Sequence, residues 1–468
     1  MPDLLTILSN SANSLYAATT MVDVAGNNMD NVNTPGYSRQ RVNLAAVVPL
    51  EVVGGQFYGG GVAIQSIQQS RDTYIEAQLP SVFAQHSQYS SQASTLNGLT
   101  ALNPNQTGNL TNALSAFYTA ARALAQNPGD AGLRQAFVSS TQSLATAFNN
   151  TSNAIEYSRS AADSQISADV NRINTLAANM ADLNRRIGMG RGAGAEPNDL
   201  LDQRQSTQDE LEQLTGARPI VNGNGDISMA LANGVMLVTG TTSATLSVIA
   251  DVSNRGHYAV QFTHSDGSGP YDLSSSGGQL GGLMGARDGA LETASTNLDS
   301  MAYDWATAVN TIHTAGFALD GSAGLDLFTG LPLTAPGAAA AIAINASILA
   351  DPSLVAASSA AIRVPGDSDN LNDLVGTEST TLTTSGLAPT ATLQSMVASY
   401  GASVQAAKAI SDQAKALHTQ LTNMRESVSG VSIDEELITM TKAQRAYQAI
   451  AHVITTTNSM LDTLMALK

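Results

Sequence analysis

Histidine, glycine and carboxylate clusters are where chemistry could sit in this chain of 468 residues, because it contains no cysteine. Without thiols there is no disulfide, no thiolate nucleophile and no Cys-ligated zinc. Six histidines are scattered among helical and loop-like stretches. His257 and His264 share a strand-like region, but seven positions along a strand place them roughly 23 Å apart on opposite faces. A shared metal is not expected, and both read as surface or turn histidines. The run GMGRGAGAEPND, 188–199, is glycine-rich. A phosphate loop needs a preceding strand and a Gly-Lys-Ser/Thr ending. This run follows a helical pattern and has no lysine, so it reads as a flexible loop. DGSAGLD, 320–326, lacks the alternating oxygens and terminal glutamate of a calcium loop and reads as a turn. No HExxH, GxSxG, SxxK or Walker A string occurs. A carboxylate pair for glycoside cleavage stays open from composition alone, yet nothing marks one out. The expectation is no enzyme, no cofactor and no metal.

Composition narrows the class further. The net charge is -17, which argues against a nucleic-acid groove or an anionic membrane surface as partner. No apolar run approaches the ~18 residues of a membrane span, so no membrane partner is expected. The first basic side chain is Arg39, so an ordinary secretory signal is not expected either. Aromatic residues make up only 4%, which favours thin helical layers over one thick core. Length predicts two to four domains.

The elements follow from periodicity. Leu8, Leu15, Val22 and Met29 recur every seven residues, with Leu4, Ser11, Ala18, Ala25 and Val32 between them. That is an a/d seam, by which a helix packs on another helix. It runs into Asn28, Asn31 and Asn33, then Thr34, Pro35 and Gly36, which end the helix near Val32. Strand-like residues follow at 42–51 and after the glycines at 59–61. Asp72 is placed to cap a helix over 74–102. Residues 110–125 read as a helix. Residues 133–187 contain neither proline nor glycine and predict one very long helix, and 200–214 a returning one. From Ala217 short alternating runs with NGNGD and ANG turns predict a β module. Helix returns at 278–315, with Leu291, Leu298, Trp305 and Ile312 spaced by seven. Residues 331–389 read as a mixed β element with long loops. Helix resumes over 393–426, with Leu393, Val397, Tyr400, Val404, Leu417, Leu421 and Met424 inward. The last helix, 433–467, carries one row of Ile433, Met440, Tyr447, Ile454 and Leu461. A second row is Leu437, Gln444, Ala451, Asn458 and Met465.

Four stretches carry a family resemblance. NNMDNVNTPGYSRQ, 27–40, resembles the N-terminal motif of the flagellar rod, hook and hook-associated axial proteins. GVAIQSIQQSRDTYIEAQL, 61–79, resembles their second motif, with Gln69 where a basic residue is usual. That departure puts one ion pair in doubt. Residues 279–317 resemble the hook-associated family, as does SGVSIDEE with AQRAYQAIAHVI near the C-terminus, where Ser432 replaces a common asparagine. The chain is thus identified as a member of the FlgK-type hook-associated family. The resemblance implies a structural adaptor at the hook–filament junction, extracellular and exported by the flagellar type III route without a cleaved peptide. It implies self-assembly, hook protein and a second junction protein as neighbours, and an export chaperone at the C-terminal region. The expected fold class is mainly α with β insertions, a long helical-bundle rod built from both chain halves. The expected domains are 1–66 with 428–468 (terminal axial helices), 67–216 with 279–315 and 393–427 (rod), 217–278 (β module) and 316–392 (outer insertion). The expected assembly residues are the Leu8, Leu15, Val22 and Met29 row, Asn28, Asn31, Asn33, Thr34, Pro35, Gly36 and Tyr37, and on the last helix Ile433, Leu437, Met440, Tyr447, Ile454 and Leu461. Hook protein or another axial protein remains an alternative within the class. An exported flagellum-associated wall hydrolase is the alternative outside it.

Overall fold

Because no proline or glycine interrupts residues 133–187, that stretch folds into one helix, Ala131–Gly192, of 62 residues. At 1.5 Å per residue it is about 90 Å long, and the rest of the body is arranged along it. The computed structural model describes residues 4–34, 37–48, 50–52, 56–99, 109–192, 197–273 and 276–466.

In chain order, α1 (Leu4–Asp30) leads into an antiparallel ribbon of β1 (Gln40–Ala46) and β4 (Val62–Gln69). A smaller ribbon, β2 (Leu50–Val52) with β3 (Gln56–Tyr58), lies between them in sequence. Then come α2 (Thr73–Asn97), α3 (Leu110–Gln126), α4 (Ala131–Gly192) and α5 (Asn198–Thr215). Asp72 caps α2 by accepting from the Tyr74 and Ile75 amides, as its position predicts. Asn109 caps α3 through the Asn112 amide in the same way. Leu102, expected in a helix, lies outside the described residues. The glycine-rich run is shorter as a loop than expected, because α4 continues through Gly188 and Gly190 to Gly192.

The β module is two antiparallel sheets. One has the order β5 (Arg218–Val221), β6 (Ile227–Ala230), β7 (Met236–Thr239), β8 (Thr242–Ser243). The other joins β9 (Thr245–Ala250), β10 (Tyr258–Thr263) and β11 (Tyr271–Asp272). Helix resumes with α6 (Gly278–Gly285), a widened π turn at Ala286–Leu291, and α7 (Glu292–Ala315). Next are β12 (Phe328–Thr329), α8 (Ala338–Ala341), β13 (Ala343–Ile344), α9 (Ala346–Ala350) and α10 (Asp369–Gly376). The long α11 (Pro389–Ser429) and α12 (Ile433–Ala466) close the described chain. This is the mainly α architecture with β insertions that the periodicities predict.

Two apolar cores hang on α4. Its first half packs with α3, α7 and the start of α11 around Trp305, whose Nε1 donates to the Tyr118 hydroxyl at 2.8 Å. Its second half packs with α5, α6 and the β module around Met180, Leu211, Leu237 and Val260. Residues 316–392 differ from the expected outer mixed β element with long loops. They hold short helices and only a two-residue ribbon, and Phe328, Ile342, Ile348, Val355, Leu371 and Leu374 are buried in the first core. The scarcity of charge that resembled loop is what lets this segment be buried. On α11, Leu417 and Met424 face solvent at 43% and 44% exposure, whereas Ala407, Ser411, Ala414 and Leu421 face inward. Small side chains let α11 lie close against α2, and close approach displaces the larger ones outward.

His257 is not a surface histidine. It is buried, with Nδ1 2.6 Å from Asp163 and Nε2 3.1 Å from Glu156. Arg287, also buried, pairs with the same Asp163 and with Asp288. These charges fasten the 251–257 loop to α4 and the π turn. His313 is a neutral bridge: Nδ1–H donates to the Leu325 carbonyl and Nε2 accepts the Ala356 amide at 3.0 Å. Burial drives its pKa down to about 4.

Candidate assembly interface

α1 packs lengthwise on α12, the first helix against the last. On α1 the side chains turned inward are Ala17, Ala18, Ala25 and Asn28, with Leu8, Leu15, Val22 and Met29 half-buried beside them. On α12 they are Glu436, Ala443 and Thr457, with Met440, Ile450, Ile454 and Leu461 half-buried. Of the expected heptad row Met440, Ile454 and Leu461 turn inward, while Ile433 and Tyr447 are exposed. In the other row Leu437, Gln444 and Asn458 are exposed and Glu436, Ala443 and Thr457, one residue earlier, turn inward in their place, with Ile450 and Ala451 both half-buried. The shift turns the large apolar side chains outward. Leu437, Ile438, Val453, Met460, Leu464 and Met465 are exposed on α12, and Leu5 and Tyr16 on α1. A helix pair with an alanine seam and an apolar outer face has its larger hydrophobic surface still to cover.

The reason for the shift is Arg39. Its Nε lies 2.6 Å from Glu436, whose side chain is 3% exposed, and a terminal nitrogen lies 2.6 Å from Glu435. A buried carboxylate needs a cation, so Glu436 turns in and Leu437 turns out. The Arg39 amide donates to the Ser429 carbonyl, and the Ser70 amide to the Arg39 carbonyl. With the Ser70 hydroxyl donating to the Val428 carbonyl, the elbow between α11 and α12 is stitched to both sides of the ribbon's open end. Gly430 forms that elbow because a Cβ there would lie 2.3 Å from the Glu426 carbonyl oxygen.

Asn28 holds the other side of the same turn. It is 1% exposed. Its Nδ2 donates to the Gln40 carbonyl at 2.9 Å and its Oδ1 accepts the Gln40 amide at 2.9 Å. The Tyr37 hydroxyl sits 2.8 Å from Asn27 Oδ1 and 2.9 Å from Asn28 Oδ1, donating its single proton to that pair. Burial, with Asp202, Asp199 and Glu436 nearby, pushes the Tyr37 pKa up to about 12, so it stays a donor. Asn31 bonds back to the Asn27 carbonyl, and Thr34 to Asn31. Asn33 and Thr34 are exposed at the tip. A cleft of about 730 Å³ opens between this tip and the elbow, lined by Asn33, Thr34, Tyr37, Arg425 and Ser429 among others.

Gln69 resolves the ion pair its identity put in doubt. Its amide donates to Asp202 at 2.7 Å, and Arg71, two residues on, supplies the cation at 3.0 Å from the same carboxylate. The ribbon is thus anchored to the N-terminal turn of α5.

This hinge of helix, ribbon and elbow can be compared with known proteins. The profile of the "Flagellar hook-associated protein FlgK helical domain" matches residues 65–328. The chain belongs to the FlgK family of flagellar hook-associated proteins. A second profile, "Flagellar basal body rod FlgEFG protein C-terminal", matches residues 425–467, the elbow and α12. Flagellar hook-associated protein 1 of Escherichia coli is 26% identical, over 99% of this chain and 100% of that one. The protein of the same name from Bacillus subtilis is 25% identical, over 97% and 96%. The solved flagellar hook junction protein FlgK of Burkholderia pseudomallei has the same fold, with a TM-score of 0.68 at 18% identity. It aligns with 75% of this chain and with all of its own.

Of the residues singled out from sequence, Leu8, Leu15, Val22 and Met29 are half-buried on α1, which packs on α12, as Met440, Ile454 and Leu461 are on α12, and Asn28 and Tyr37 bond at the base of the ribbon. Ile433, Leu437 and Tyr447 are exposed at 49%, 48% and 41%, and Tyr447 lines a groove with Thr19 and Val22 of α1. Pro35 and Gly36 lie outside the described residues. The sequence reading missed Arg39, Glu436 and Ser429. A glutamate adjoining an apolar heptad row is a signal for an interhelical ion pair, but its partner lies 397 residues away.

Proposed function

We propose that this FlgK-family chain is a non-catalytic building block that joins the flagellar hook to the filament, assembling helically with its own copies through α1 and α12. The observation that carries this reading is the apolar outer face of α12, from Leu437 to Met465, left exposed by a seam built on alanine. A subunit of this kind works outside the cell. It travels through the flagellar type III channel without a cleaved signal peptide. Its neighbours there are hook protein on one side and a second junction protein on the other, and an export chaperone covers the C-terminal region beforehand. The exposed Asn33 and Thr34 tip and the elbow cleft give a second contact point beside the helix pair. Family membership places the relatives among flagellar structural proteins. No group of three or more metal-ligating side chains comes together among the described residues, and none of their helices is long and apolar enough to cross a membrane.

The test is to charge the outer face without touching the seam. Val453→Glu with Met460→Glu alters two side chains that are 46% and 54% exposed. The purified variant should match the wild type in circular dichroism and thermal unfolding. In a strain lacking its own copy it should leave hooks bare and cells non-motile. Swimming cells with full-length filaments would refute assembly through this face.

A further inference from the structure

The helical body carries a second cleft, of about 610 Å³, far in sequence from the terminal helices. One wall is α2 around Ser87–Ser94, the other is α4 around Tyr157–Gln165, and Gln213 and Gln279 close it. α6 is drawn tight to α2 here, since a Cβ on Gly282 would lie 2.1 Å from the Gln88 carbonyl oxygen. Its volume falls in the ~300–1,000 Å³ range of small-molecule sites.

The lining is uncharged. Among the described residues no Asp, Glu, Lys or Arg contributes to it, on a chain whose net charge is -17. Ser87, Ser90, Ser91 and Ser94 fall along one face of α2, and a run of small residues alone would indicate only helix packing. Ser87 points to more. It is 7% exposed, it lines the cleft, and its hydroxyl has no hydrogen-bond partner among the described residues. The half-buried Gln213 carboxamide also has no hydrogen-bond partner among the described residues. The Ser87 hydroxyl opens onto the cleft rather than being sealed from water, so it is available to whatever enters. Aromatic faces complete the site: Phe83 inside, stacked on His418 at 4.7 Å, and Tyr157 at the rim, 77% exposed.

We propose that this cleft binds a neutral sugar chain. An anion would find no cation in it and a repelling field around it. A cation would find no carboxylate. A purely apolar ligand would leave the Ser87 hydroxyl and Gln213 amide unpaired. A sugar has hydroxyl edges for Ser87, Ser90 and Gln213, and apolar C–H faces for Phe83 and Tyr157. The inference is independent of the assembly reading, because none of these residues belongs to the terminal helices.

Titration calorimetry and saturation-transfer NMR on the full chain, with maltotriose, cellotriose and chitotriose, test it. At least one should bind with a Kd of about 1 mM or tighter. Ser87→Ala and Tyr157→Ala should each weaken it by about tenfold, the loss of one good contact. Tyr157 is exposed, so its variant folds even if the buried Ser87 position tolerates change poorly. The proposal is overturned if no trisaccharide binds, or if binding is indifferent to both variants. It is also overturned if a neutral Ser/Ala-rich helical peptide fills the cleft and no sugar does.

Discussion

Replacing Asn28 by leucine tests whether one side chain sets the turn at the base of the molecule. Leucine is the better helix former by a few tenths of a kcal/mol, so α1 itself is not weakened. What is lost is the pair of 2.9 Å bonds to the Gln40 amide and carbonyl and one of the two acceptors of Tyr37. Each buried group left unpaired costs about 1–3 kcal/mol. Gln40 is half-buried and Tyr37 keeps Asn27, so water and Asn27 recover part of this. The net cost is then about 2–4 kcal/mol, confined to the turn. Hydrogen exchange of the purified chain should lose protection across residues 37–46 by about 30- to 1,000-fold. Exchange in α4 and α7 should not change. Asn28→Asp keeps the acceptors, loses the donor to Gln40, and adds a charge near Glu436 and Asp202, so it should fall between leucine and the wild type or below both. Unchanged exchange over 37–46 in the leucine variant would refute the role given to Asn28.

The other predictions concern buried charge. Glu212 is 1% exposed, and burial, with Asp209 beside it, raises its pKa to about 9. A carboxyl raised in the folded state is neutral there and favours folding at low pH. Its contribution is fully present below the ordinary 4.5 and is lost as pH rises through about 9, at about 1.4 kcal/mol per pH unit. Glu212→Gln keeps the bond from Gln208 and cannot ionise, so it should be more stable by about 3 kcal/mol at pH 7. Urea unfolding from pH 5 to 9 should show a flatter profile for the variant, and parallel profiles would contradict the assignment. For Arg39 and Glu436, removing one partner strands a buried charge at a cost of roughly 3–5 kcal/mol, while removing both does not. Exchange protection at the start of α12 should therefore be worse in Arg39→Met than in Arg39→Met with Glu436→Leu. Additive losses would mean the pair is not coupled.

The helices were legible because their signals are local. Asp72 bonds two amides within three residues, and the unbroken α4 needs only the absence of proline and glycine. The terminal motif was legible as a string, and its heptad row of Met440, Ile454 and Leu461 as a period. What stayed hidden depends on partners distant in sequence. The register of α12 is set by Arg39. The burial of His257 is set by Asp163, 94 residues earlier. Residues 316–392 looked peripheral because Ala, Ser, Thr and Gly are as frequent in loops as in tightly packed short helices. Only the core built by α3, α4 and α7 decides between the two. The sugar-binding cleft left no string at all, since serines on a helix are ordinary surface residues until a second helix stands opposite them.

One device recurs and explains how a chain so poor in aromatics fixes its strands to its helices. Asn28 on α1 clamps Gln40 at the start of β1. Asn174 on α4 bonds the Leu246 carbonyl and amide in β9, at 2.8 and 2.7 Å. Asn184, also on α4, does the same to Ile227 at the start of β6, at 2.7 and 3.2 Å. Asn310 on α7 does it to Phe328 in β12, at 2.7 and 2.8 Å. A carboxamide carries one acceptor and an adjacent donor, the same pair a neighbouring strand would present. Each asparagine therefore supplies one rung of ladder from a helix and satisfies a strand residue whose outward groups would otherwise need water or another chain. Asparagine weakens a helix interior because its amide competes for nearby backbone. Here the amide is committed to backbone 12 to 72 residues away, which removes the competition and fixes where each ribbon sits. Apolar packing holds the β elements against the helices, and these single polar contacts fix the register at which each one sits. The large apolar side chains of α12, which none of these contacts uses, face outward.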